Sequence, residues 1–158
     1  DEALALATRG EDHGELTELA ERVRSRQALD EQSRVQSERL AALSLDQIEA
    51  RSRDPVGFVE VLVRKANAEV DVGRRDAAAE IAQRALVDAM TLGDVRLEIL
   101  ARLSVARATP ERAPVEIERA LTAADRFGDP NLITTVVKAA EGHGVPLPRE
   151  AGPWGEDP

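Results

Sequence analysis

Two stretches of this chain repeat each other at a distance of 35 residues. Residues 84–94 read RALVDAMTLGD, and residues 119–129 read RALTAADRFGD. Small residues recur in step between them: Ala78, Ala82, Ala85 and Ala89 against Ala113, Ile117, Ala120 and Ala124. A fixed period of this size is the mark of stacked helical hairpins. One hairpin cannot bury its apolar face alone, so neighbours stack to cover it. Alanine at the crossings lets paired helices approach closely. The competing reading is an alanine-rich helical bundle whose period is coincidental.

The local pattern is helical almost throughout. Ala, Leu, Arg and Glu, all strong helix formers, fill most positions. Val59-Glu60-Val61-Leu62-Val63 alone could pass for a strand. It follows Asp54-Pro55, an N-cap and first-turn pair, and runs on to Glu69 without a turn signal. It is therefore predicted as helix.

Glycine and proline divide the chain. Gly10 and residues 12–14 are expected to set off a short N-terminal piece. Gly73 closes the helix that begins at Asp54-Pro55. Gly93-Asp94 is a stop followed by a new N-cap, and Gly128-Asp129-Pro130 repeats it. Thr109-Pro110 restarts a helix between them. Gly142, Gly144, Pro146, Pro148, Gly152 and Pro153 are expected to end regular structure. Short turns between such helices imply antiparallel neighbours.

The segment 15–53 reads differently. Leu16, Leu19, Ala20 and Val23 form an apolar stripe at helical spacing, and Leu40, Leu43, Leu45 and Ile48 resume it. Between them only Leu29 and Val35 are large and apolar. Either one long charged helix runs through, or two helices meet near residues 30–33. Acid-to-base pairs four apart, such as Glu18–Arg22, support a solvated face. The expected organisation is an N-terminal helical segment, 1–53, a repeat body, 54–143, and a Pro/Gly-rich tail, 144–158. The tail reads as a linker, or folds back with Trp154 on the body.

Charge narrows the partners. The chain has 158 residues with 21 basic and 30 acidic side chains, a net charge of −9. The three segments above carry −4, −3 and −2, so no basic arm exists to hold nucleic acid. No stretch approaches the ~18 apolar residues of a membrane span. The absence of cysteine removes disulfides and thiolate sites and fits a reducing cytoplasm. Lys65 and Lys138 are the only lysines against 19 arginines, a bias read as a high-GC bacterial genome. The chain starts without Met or a leader-like segment, which reads as a piece of a longer protein, or as a processed secreted form.

Catalytic and metal signals are weak. His13 lies beside Asp12 and Glu15, and His143 beside Glu141, with no i, i+4 pair of ligands. The phosphate-loop, dinucleotide and nucleophile-elbow motifs are missing. No cofactor, no metal and no enzymatic activity are expected.

Over residues 59–141 the repeat resembles the tetratricopeptide (TPR) family, a helix pair of about 34 residues. Ala66 and Ala101 fall where that family places a small residue in its first helix. Gly73, Ala78, Ala82 and Ala85, then Ala113, Ile117 and Ala120, follow its second-helix pattern. The family's large first-helix aromatics are replaced by Leu62 and Glu69, then Leu97 and Ser104, and its closing proline is missing. This variant is similar to degenerate repeats of bacterial transcription activators and sensor proteins.

The resemblance implies an all-α fold: antiparallel hairpins stacked as a short TPR-like right-handed solenoid, preceded by a long charged helix. It also implies a partner groove on the first helices, carrying Glu60, Val63, Asn67, Val70, Glu98, Arg102, Val105, Ile133 and Val137. These residues either line that groove or pack against the next hairpin. The expected function is non-enzymatic docking of a protein or peptide segment, or of another domain of the parent chain, in a bacterial signalling or transcription-regulatory protein. A small-molecule-sensing domain of a transcription activator and a helical enzyme domain using carboxylates are the alternatives. The N-terminal helix is the segment through which copies would associate.

Overall fold

The computed structural model describes the backbone of residues 2–147, and the side chains of residue 14 and residues 17–147. His13, Leu16, Trp154 and the tail from Pro148 lie outside the described side chains. Every regular element among the described residues is helical, in the order α1 (Glu2–Ala42), α2 (Leu45–Arg51), α3 (Pro55–Asp71), α4 (Arg75–Leu92), α5 (Val95–Ala108), α6 (Ala113–Phe127) and α7 (Pro130–His143). A single 3-10 turn, Pro110–Arg112, leads into α6. No helix among the described residues is long and apolar enough to cross a membrane.

The caps explain the boundaries. Asp54, Asp94 and Asp129 each accept a hydrogen bond from a backbone N–H of the helix they start, with Pro55 and Pro130 opening α3 and α7. An Asp N-cap is worth about 1 kcal/mol. Gly93 and Gly128 sit at φ 70° and 75°, the left-handed region that a Cβ disfavours, so the two repeats stop in the same way. The Val59–Val63 run is helical, as its N-terminal signal predicts.

Two expected breaks, at Gly10 with residues 12–14 and at Gly142, are corrected, and of the two readings of residues 30–33 the single long helix is the one found. α1 runs through Gly10 and residues 12–14, because an isolated glycine costs a helix only ~1 kcal/mol. It also runs through residues 30–33 and ends at Ala42 instead. There Ser44 forms a reciprocal capping box with Gln47, which fixes the start of α2. Gly142 lies inside α7, and Gly144 at φ 64° ends it.

The chain divides into two compact units, Asp1–Gln36 and Ser37–Pro158. In the first, nearly every described side chain is exposed, including Leu19, Val23 and Leu29. Its described surface carries local ion pairs, Arg22–Glu18 and Arg34–Glu31, both at 2.9 Å. The second unit holds the core. Within it α2 packs on α3, α3 on α4 and α5, α4 on α5, α5 on α6 and α7, and α6 on α7.

Burial follows the 35-residue period. Ala78, Ala82, Ala85 and Ala89 are buried, and so are Ala113, Ile117, Ala120 and Ala124. Leu62, Leu97 and Leu132, spaced by the same period, are buried on α3, α5 and α7. Leu86 is buried, whereas its repeat mate Leu121 is half-buried on the edge of the second core cluster. One cluster joins α3, α4 and α5, and another joins α5, α6 and α7.

Candidate docking cleft

Val95, Glu98 and Arg102 lie at i, i+3 and i+7 and so share one face of α5. Val115, Arg119, Thr122 and Arg126 lie at i, i+4, i+7 and i+11 and share one face of α6. Together with Ala123, Glu118 and Phe127 these residues line an open cleft of about 730 Å³. Its apolar walls are wet: Val115 is 49% exposed and Phe127 55%. A smaller groove of about 470 Å³, nearer α4, is lined by Gln83, Val87, Val105 and Arg112 among others.

A chain of ion pairs starts at Glu98 and Arg102 in the cleft wall and runs inward to buried Glu116 and on to Arg112. Arg102 donates to Glu116 Oε2 at 2.9 Å, and to Glu98 Oε1 at 2.7 Å from Nη2 and 2.9 Å from Nε. Arg112 donates to the other Glu116 oxygen at 2.6 Å and to Gln83 Oε1 at 3.1 Å. Glu116 is fully buried, and each of its carboxyl oxygens accepts from one of the two guanidinium groups. Met90 Sδ lies 3.9 Å from Arg102 Nη2. Arg119 and Arg126 form no ion pair among the described residues.

A second buried charge cluster lies on the α3 side. Lys65 Nζ donates to the Ala41 carbonyl at 2.6 Å and to Glu69 Oε1 at 2.8 Å. Arg74 donates to the other Glu69 oxygen. Burial pushes the Glu69 carboxyl up, but hydrogen bonds from Lys65 and Arg74, with their charges, outweigh it and hold the group below its ordinary range. Among the described residues no buried side-chain polar atom lacks a hydrogen-bond partner.

The nine residues expected in a partner groove are separated. Glu98 and Arg102 alone line the cleft. Val63 and Val105 belong to the core cluster of α3, α4 and α5, with Val105 also at the edge of the smaller groove. Glu60 accepts from Arg96, and the Asn67 side chain from Ser104, both across the α3–α5 contact. Ile133 packs at the edge of the second core cluster, and Val70 and Val137 are half-buried.

Residues that the sequence reading missed complete the cleft: Val95, Val115, Arg119, Arg126 and Phe127. Val115, Arg119 and Arg126 carry a signal as a stripe along one face of α6, whereas Val95 begins α5. His143 is half-buried in the last turn of α7. Among the described residues no cluster of His, Asp and Glu could hold a metal ion.

No family model, no curated protein and no solved structure matches the chain. The chemistry must therefore be read from the cleft itself. The cleft combines solvent-exposed apolar side chains, Val115 and Phe127, with the guanidinium groups of Arg119 and Arg126. Aromatic and arginine side chains are the types that anchor bound partners.

Proposed function

We propose that the chain is a non-enzymatic docking module, a short TPR-like right-handed solenoid in a bacterial signalling or transcription-regulatory protein of the cytoplasm. The open cleft between α5 and α6 carries this reading. It is walled by half-exposed Val115 and Phe127, and its buried charges are already paired with one another. The 35-residue spacing of buried Leu62, Leu97 and Leu132 supports the repeat part of the reading. A partner segment laid in the cleft would cover the exposed apolar groups, and the paired charges of the cleft wall would keep it rigid.

The cleft volume supports a second reading, a small-molecule sensor, because ligand pockets span about 300–1,000 Å³. In-cell photo-crosslinking from Thr122 in the parent protein tests the docking reading, with exposed Arg64 as control position. A discrete protein adduct from Thr122 alone supports docking. No protein adduct, with a small molecule co-purifying and raising the melting temperature, supports the sensor.

A further inference from the structure

We propose that the occupant of the cleft is an acidic amphipathic helix, its carboxylates on Arg119 and Arg126 and its apolar face on Val115 and Phe127. This rests on the docking reading and adds the chemistry of the partner. The argument comes from comparing the two repeats. Arg84 and Arg119 hold the same place, 35 residues apart. In α4 the Arg84 charge is met by Asp88, whose Oδ2 accepts from Nε at 2.9 Å. Ala123 stands in α6 where Asp88 stands in α4. That exchange leaves Arg119 without an ion partner among the described residues, and Arg126 has none either.

The other cleft charges are committed. Arg102 is held by Glu98 and by buried Glu116. Among the described residues a ligand therefore meets two unpaired cations and one unpaired anion, Glu118, a local excess of positive charge on a chain of net −9. Screening beyond ~8 Å at physiological salt lets this local balance decide the contact.

Spacing selects the partner's conformation. Arg119 and Arg126 lie seven residues apart on one face of α6, about 10.5 Å along its axis. A helix running beside α6 presents acids seven apart on one face at the same interval. An extended chain covers that distance in about three residues, which puts the two side chains on opposite faces. Glu118 repels a third acid and accepts a lysine, which sets the direction of the bound helix.

Fluorescence-anisotropy titration of the full chain tests this with a synthetic helix of about 18 residues. Leucines occupy one face, and two glutamates seven apart flank it. The expected result is binding that weakens ~10-fold or more when both glutamates become glutamine, and again for the double variant Arg119→Glu, Arg126→Glu. A peptide with two lysines in place of the glutamates should recover affinity for that double variant. Circular dichroism confirms that the variants fold, since both arginines are exposed. Equal binding of the glutamate and glutamine peptides, with loss on Val115→Asp, overturns the acidic chemistry and leaves the cleft standing. Absence of binding at ~1 mM peptide also overturns it, and the Thr122 crosslink then judges docking independently. Binding that ignores every cleft substitution contradicts both.

Discussion

Arg102 Nη1 donates to Glu116 Oε2 at 2.9 Å, joining α5 to α6 through a carboxylate with no solvent exposure. Removing one partner of such a pair strands a charge and costs about 3–5 kcal/mol. Glu116→Ala should therefore lower the urea midpoint strongly. Arg112→Ala should do less, because Arg102 remains on Glu116 and Arg112 is itself exposed. Equilibrium denaturation of the two variants checks the order.

The repeat alanines carry a second prediction. Ala85 and Ala120 are completely buried, each against its neighbouring helix layer. Leucine at either position overpacks the crossing and should destabilise by ~1–3 kcal/mol. Leucine at exposed Arg64 should change stability by no more than about 0.5 kcal/mol. Thermal melts of the three variants measure the difference.

Glu69 supplies a pH dependence. Its folded carboxyl titrates below its ordinary value of 4.5, so the charged form stabilises the folded state. That stability is fully present above 4.5 and is lost as pH falls through the lower folded value. Protonation would also leave Lys65, buried against the Ala41 carbonyl, without its carboxylate. Glu69→Gln should be less stable at neutral pH and should show a flatter decline of the urea midpoint on acidification. A parallel decline in wild type and variant would remove Glu69 from the account.

The parts of the fold that were legible in the sequence rest on local chemistry. Gly93-Asp94 and Gly128-Asp129 combine a left-handed stop with an N-cap, and both mark helix boundaries in the structure. The buried alanines follow from period alone. The end of α1 is marked in the sequence by the capping-box spacing of Ser44 and Gln47, but the apolar stripe Leu40, Leu43, Leu45 and Ile48 runs across it and masks the break. The cleft was hidden for a different reason. Glu116 reads as one more solvated helix acid, and its partner Arg102 lies on another helix, 14 residues away. Valines at helical spacing look alike whether they meet a partner or a neighbouring helix. Val105 packs in the core, whereas Val115 faces solvent.

That contrast between Val105 and Val115 gives the most direct test of the docking cleft. The measurement is the yield of the Thr122 photo-crosslink in cells, read beside the melting temperature, for Val115→Asp and Val105→Asp. Val115 is half-exposed, so its aspartate variant should melt within a few degrees of wild type, about 2–4 °C, while the adduct falls ~10-fold or more. Val105→Asp buries an unpaired charge and should lose the adduct only together with the fold. An adduct that survives Val115→Asp in a folded chain, or that is lost only in proportion to unfolded protein, would contradict the account.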